Sequence, residues 1–276
     1  MLRGDELAAF DAFLIDLNRA AAAAILPLFR VENELQDKGE PGAYDPVTAA
    51  DRGAEAAIRQ RIAEHWPGHG VIGEEYGEDR PDAEFVWVID PIDGTRAFIA
   101  GLPVWTTLIA LRHQGKPVLG SIGQPYVGEL FIGHAGGSRL IGREATRSLA
   151  VRRDRSLASA IIATTDPHTG FDRAEMTAWR GVRSAARLAR YGCDAYAYAM
   201  VAAGLIDLVL EAGLKCWDID AATPVIAGAG GAVTDWRGAP IGARGRQIGT
   251  HGGQAAISAG GDLLAEVLPL LAEAAK

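Results

Sequence analysis

WVIDPIDGT, residues Trp87 to Thr95, closes an apolar run that begins at Phe85 and Val86. Such a run predicts a buried strand, and it delivers two carboxylates, Asp90 and Asp93, at its end. Pro91 disfavours helical geometry at Asp90, so the strand is expected to stop there in an extended conformation. Gly94 has no Cβ and lets the backbone turn and approach a ligand closely. The product is a set of hard oxygen ligands beside backbone N–H groups, which Mg²⁺ and a phosphate need together. An Asp-Gly turn at a strand end is also common without any ligand, so the rest of the chain must supply the partners.

The chain has 276 residues and a net charge of −8. That length suits a single fold over residues 1–276, with approximate halves at 1–144 and 145–276. The acidic balance argues against a nucleic-acid or anionic-membrane surface. Cys193 and Cys216 are the only cysteines, in neither a zinc nor a redox spacing, and a reducing cytoplasm is expected. The opening MLRGDELAAF is too acidic for a signal peptide, and no apolar run reaches the length of a membrane span. The alanine run Ala20 to Ala24, with Arg19 and Arg30 nearby, reads as part of a packed helix.

Leu7, Phe10, Leu14, Leu17 and Ala21 recur at helical spacing and predict a helix from about Asp5 to Phe29. A polar loop from Glu32 to Asp45 follows. A second helix then runs from Thr48 to about His65, opened by Thr48-x-x-Asp51 as a capping box. From Phe85 to about Ile141, short apolar runs alternate with turn signals and predict an antiparallel meander. Beyond Arg155, strands at Ile161–Thr164, Leu208–Leu210, Ala232–Thr234 and Ala255–Ala259 alternate with helices at Arg173–Ala185, Asp194–Ala203, Ile219–Ala229 and Leu263–Ala274. The pattern predicts layered sheets and helices.

Four segments are rich in oxygen ligands: Val71 to Glu75, Asp90 with Asp93, Cys216 to Asp220, and Asp51 with Thr48. In the third, Trp217 is expected to close a strand-loop and Asp218 to open a helix. The six histidines are scattered singly, so zinc and iron are disfavoured against Mg²⁺ or Mn²⁺. Each segment has a plainer reading. Glu74 and Glu75 would suit a solvated loop, Asp218 a helix N-cap, Asp51 the acid of a capping box. Gly228-x-Gly230-Gly231 follows a helix, so a helix C-cap explains it better than a nucleotide loop.

Taken together and in order, GEE at Gly73–Glu75, DPIDGT at Asp90–Thr95 and WDID at Trp217–Asp220 resemble the inositol monophosphatase superfamily. The likeness runs from Lys38 to about Gly238. Carried over by position, it implies Mg²⁺ ligands at Glu74, Asp90, the Ile92 carbonyl, Asp93 and Asp218, with two or three ions per site and Mn²⁺ as a substitute. Gly94 and Thr95 would bind phosphate through backbone N–H groups, and Thr95 would also help polarise the attacking water. Asp51, assisted by Thr48, would support an outer metal site through water. The likeness also implies an α/β (α+β) layered sandwich of alternating helix and sheet layers, and a homodimer acting on a small phosphorylated metabolite.

Within the superfamily the chain looks most like the histidinol-phosphate phosphatase branch, on DPVTAAD (Asp45–Asp51), the run Asp90–Leu111, the run Arg190–Ile219 and the run Pro224–Gly238. Where inositol enzymes follow the glycine matching Gly192 with small neutral residues, this chain has Asp194. Ala50 stands where a polar residue or glutamate is frequent, and Asp220 where WDxA is the common form. Asp220 is expected to be a surface charge at a helix N-terminus. Lys38 is two residues out of register with the loop lysine of the inositol enzymes. Asp194 and Glu211, spare carboxylates beside the expected site, suit a cationic leaving group such as an amino alcohol bearing an imidazole. Two cations sharing Asp90 would serve an in-line attack by water without a covalent intermediate. Inositol-1-phosphate and adenosine 3′,5′-bisphosphate are the alternative substrates, and a non-catalytic metal- or phosphate-binding protein the remote one. Trp105 and Trp179 are read as core residues first and interface residues second.

Overall fold

Helical periodicity in the first segment produces α1 (Gly4–Ile25), whose Phe10, Leu14, Leu17 and Ala21 form a buried stripe. It gives way to a 3₁₀ turn at Leu26–Leu28, because Pro27 cannot donate to a continuing α-helix. The computed structural model describes residues 3–31, 36–37, 46–241, 243–244, 247–248 and 253–276. Lys38, Asp45 and most of the expected loop lie outside them. Its remaining residues pair as β1 (Gln36–Asp37) with β2 (Pro46–Val47). The second helix, α2 (Ala49–His65), is opened by the expected box: Thr48 Oγ1 accepts from the Ala50 N–H, and the Asp51 carboxylate accepts from the Thr48 N–H at 2.8 Å.

The first large sheet has eight strands. They are β3 (Gly70–Gly73), β4 (Gly77–Asp79), β5 (Phe85–Asp93), β6 (Thr106–His113), β7 (Lys116–Gln124), β8 (Glu129–His134), β9 (Gly137–Ile141) and β10 (Thr146–Ser148). The meander from β5 to β9 is antiparallel as expected, and β3 adds to β5 in parallel. One expectation fails here. The strand does not stop at Asp90 but continues to Asp93, with a register shift opposite Leu108 and Thr106. A bulge accommodates the proline that lacks a ladder donor, and it re-aims the two carboxylates.

Side chains alternate across this sheet. Trp87 and Ile89 pack against α1 and α2, whereas Val86 and Val88 face the opposite layer. That layer holds α6 (Asp194–Ala202), α7 (Cys216–Ile219) and α8 (Ala222–Gly228). Beyond it lies a five-stranded sheet, ordered β12 (Leu188–Tyr191), β11 (Ile161–Thr164), β13 (Leu208–Glu211), β17 (Ala255–Ser258), β14 (Ala232–Thr234). Its outer face is covered by α5 (Arg173–Ala185) and α9 (Gly261–Leu271) through Trp179, Val182, Leu263 and Val267. The order is helix, sheet, helix, sheet, helix, the layered sandwich expected. The short α4 (Pro167–Gly170) and the pair β15 (Ala243–Arg244) and β16 (Gln247–Ile248) complete the described elements.

Trp105 and Trp179 are both buried in core clusters, which is the first of their two readings. The Gly228–Gly231 run is a helix C-cap: the Gly231 N–H donates to the Ile226 carbonyl and Gly230 is left-handed. The expected helix from Ile219 to Ala229 is two helices, and β12 was not expected. Trp217 lies inside α7 instead of closing a strand-loop, and the helix opens at Cys216, two residues before Asp218. Among the described residues, no helix is long and apolar enough to cross a membrane.

Candidate active site

The bulge at the end of β5, the first turns of α3 (Thr95–Ile99) and α6, and α7 converge at one end of the layers. Carboxylate oxygens of Asp90, Asp93 and Asp218 lie within 4.8 Å of one another. Glu74, just after β3, hydrogen-bonds to Asp90, and its loop is fixed by a 3.2 Å bond from its own N–H to the Ile89 carbonyl. The Asp93 carboxylate also accepts from the Ala195 N–H at 2.7 Å, which ties β5 to α6.

Asp90 is only 2 % exposed, and among the described residues no donor bonds to its Oδ1. Burial, then repulsion from Glu74, Asp93 and Asp218, holds its carboxyl well above the usual range. Burial, then Asp194 and Asp218, does the same to Asp93. Buried carboxylates in contact without a cation are strongly unfavourable, and a hard divalent cation bound by oxygen is the natural remedy. The donor set contains no Cys or His sulfur or nitrogen, so it fits Mg²⁺ or Mn²⁺ better than zinc.

Gly94 lies between Asp93 and α3 with φ 83°. A Cβ there would come 2.9 Å from the Asp194 Cγ, so only glycine lets that carboxylate rest on the backbone. Asp194 is not a helix N-cap. Cys193 holds that position and Asp194 begins α6 with φ 44°, a left-handed conformation that is costly for a residue with a side chain. Burial pushes its carboxyl up to about 6 against the opposing effect of Arg96. Thr95 Oγ1 is 3.1 Å from the Ile92 carbonyl and 3.5 Å from Asp51 Oδ1. The Thr48 hydroxyl donates to the other Asp51 oxygen at 2.5 Å, so Thr48 reaches the site through Asp51. Asp51 is thus both capping acid and neighbour of the cluster. Burial raises its carboxyl above the ordinary value.

A cavity of about 360 Å³ opens beside the cluster, lined by Asp93, Arg96, Asp166, Asp194, Glu211 and Asp218 among others. Glu211 is buried on β13 and accepts from both the Thr165 N–H and hydroxyl at 2.9 Å. Burial pushes it up to about 8 despite those bonds. Gly192, left-handed, donates to the Thr165 carbonyl and so shapes the same wall. Asp218 is the third residue of α7, its carboxylate accepting from the Lys215 N–H at 2.6 Å.

Asp220 is the clearest correction. It is buried, 1 % exposed, and paired with the equally buried Arg112 of β6. The sequence reading also passed over Glu55. This fully buried residue accepts from the Glu75 N–H at 2.8 Å and the Tyr76 N–H at 3.1 Å, and Arg59 pairs with it. Gly73 leaves room for its carboxylate. Glu55 stands one helical turn after Asp51, so the spacing was a usable signal.

Residues 6–273 match the sequence profile described as the inositol monophosphatase family. The chain belongs to that family. It is 43% identical over 239 residues to the bifunctional phosphatase IMPL2, chloroplastic, of Arabidopsis thaliana, covering 86% of this chain and 67% of that one. Against a histidinol-phosphatase of Chlorobaculum parvum the identity is 35% over 193 residues, covering 70% and 73%. Among solved structures, an inositol monophosphatase from Zymomonas mobilis superposes with TM-score 0.81 at 33% identity, covering 94% of this chain and 96% of that one. A phosphatase family, metal-dependent in general and acting on small phosphorylated substrates, accords with the acidic cluster.

Proposed function

We propose that this chain is a Mg²⁺-dependent phosphomonoesterase that hydrolyses L-histidinol phosphate to L-histidinol and phosphate. The observation that carries the reading is the Asp194 carboxylate resting on Gly94, facing the cavity that Glu211 also lines. Carboxylates outnumber the single Arg96 among the charged lining residues, which suits a substrate whose leaving group is cationic. The likeness to the Chlorobaculum histidinol-phosphatase supports the same choice.

Glu74, Asp90, the Ile92 carbonyl, Asp93 and Asp218 would hold the cations. Divalent ions bound there would neutralise phosphate charge and lower the pKa of a bound water. Gly94 and Thr95 would offer backbone N–H groups to the phosphate at the start of α3. The Thr95 hydroxyl has acceptors on the protein, which leaves its lone pairs to accept a hydrogen bond from the attacking water and orient it. Asp51, raised by burial and held by Thr48, is the base next to that hydroxyl. Asp194 and Glu211 would face the ammonium and imidazole of the leaving alcohol. Magnesium as the cation, a cytoplasmic setting and a homodimer belong to the same reading.

The test is Asp194→Ala. The variant should lose at least tenfold more kcat/KM on histidinol phosphate than on inositol-1-phosphate. An equal loss on both would count against a cation-recognising role. The second reading keeps the metal chemistry and changes the ester to inositol-1-phosphate or adenosine 3′,5′-bisphosphate, supported by the Zymomonas relative. Absence of hydrolysis of any small phosphate ester at millimolar Mg²⁺ would favour a binding protein instead.

A further inference from the structure

The cavity beside the carboxylate cluster is rich in acceptors and poor in donors. Its lining side chains that can donate a hydrogen bond are Arg96, Thr165, Thr169 and Tyr198. Two of the three hydroxyls are committed: Thr165 donates to Glu211 at 2.9 Å, and Thr169 to Asp166 at 2.6 Å. The Arg96 charge acts on Asp194. Tyr198 differs from all of these. It stands one helical turn after Asp194 on α6, on the same face, and is only 2 % exposed. Its hydroxyl makes no hydrogen bond among the described residues, yet its oxygen is not sealed inside the protein. A buried ring whose one polar atom meets open space aims that atom into the cavity it lines.

Water can satisfy that donor in the free protein. A ligand that displaces the water must bring an acceptor or leave the O–H unpaired, which selects against ligands that have none. An ammonium offers only donors, whereas a neutral imidazole carries one N–H and one bare nitrogen. We infer that Tyr198 is a specificity-determining residue whose O–H donates to the bare ring nitrogen of the leaving group, the carboxylate wall taking the N–H donors. This rests on the histidinol phosphate reading and deepens it: carboxylates recognise the charge of the leaving alcohol, and Tyr198 recognises its acceptor. Burial, and then the charges of Glu211, Asp93, Asp218 and Asp194, hold the phenol above its ordinary range, so the hydroxyl keeps the proton it donates.

L-Histidinol phosphate and L-phenylalaninol phosphate test the inference, because they share the ester and the ammonium and only the first has ring nitrogens. Tyr198→Phe removes one oxygen and keeps the buried ring. In phosphate-release assays of the full chain with Mg²⁺, it should cut kcat/KM at least tenfold more on histidinol phosphate than on phenylalaninol phosphate. The loss should fall on KM rather than kcat, and L-histidinol should weaken by a similar factor as a competitive inhibitor. Equal losses on the two esters, or a KM for histidinol phosphate that does not move, would overturn the role of Tyr198 while leaving the substrate reading intact. A parent protein with no preference for histidinol phosphate over inositol-1-phosphate would overturn that reading itself, and this inference with it.

Discussion

Breaking the Arg112–Asp220 pair should reveal how the eight-stranded sheet holds α7 in place. The two side chains are 3 % and 1 % exposed, so neither has water to fall back on. Replacing Arg112 by Met leaves a buried carboxylate unpaired, a loss of about 3–5 kcal/mol for pairs of this kind. Burial already lifts the Asp220 carboxyl to about 6 against the pull of Arg112. Without the guanidinium it would take up a proton, which caps the loss towards the lower figure. Asp220→Leu strands the cation and should cost a similar amount. The double variant Arg112→Met/Asp220→Leu removes both charges and should lie within about 1 kcal/mol of the parent, giving a coupling energy of several kcal/mol. Urea unfolding of the metal-free protein measures all four corners of the cycle. Single variants within about 1 kcal/mol of the parent, or additive losses in the double, would refute the claim that this pair is a buried, mutually dependent tie.

Other outcomes follow from the same geometry. Asp90→Asn removes one charge from the crowded cluster, so the metal-free protein should be as stable as the parent or more so, while turnover falls by roughly a thousandfold or more, on the order of 4 kcal/mol; thermal unfolding in EDTA beside phosphate release checks both. Glu55→Ala leaves the Glu75 and Tyr76 N–H groups without their acceptor, and should raise the Mg²⁺ concentration for half-maximal activity by about tenfold or more through a loosened Glu74 loop. His69 is held neutral, its pKa lowered to about 4 by burial, and its Nδ1 accepts from Trp87 Nε1 at 3.1 Å. The unfolded chain takes up this proton below about 6.5 and the folded one only near 4. Stability should therefore fall as pH drops through that window, by at most about 3 kcal/mol. His69→Gln should flatten this part of the pH profile in equilibrium unfolding.

Much of the architecture was legible because periodic burial writes itself into sequence. The stripe on α1, the capping box at Thr48 and the meander from Phe85 to Ile141 each follow from patterns of two to seven residues. The strand Leu188–Tyr191 was not legible. It is an edge strand paired only with β11, largely exposed, and carries neither alternation nor an apolar run. The break between Ile219 and Ala222 was hidden because both short helices lie in one apolar, alanine-rich layer. Asp220 misled for a different reason: its partner Arg112 is 108 residues away, and no local rule reveals such a pairing. In the site, residue chemistry marked Asp90 and Asp93 as oxygen ligands, and the resemblance implied Glu74 and Asp218 beside them. The bulge that aims them, and the left-handed Asp194 beside Gly94, depend on how β6 and α6 pack against that segment.

The measurement that bears most directly on the central claim is phosphate release from L-histidinol phosphate, inositol-1-phosphate and adenosine 3′,5′-bisphosphate, each with and without Mg²⁺. The account predicts hydrolysis that requires the cation, with kcat/KM for histidinol phosphate about a hundredfold above the others, ~2.7 kcal/mol. A preference for either other ester would contradict the role given to Asp194, and undiminished hydrolysis in EDTA would contradict the metal chemistry itself.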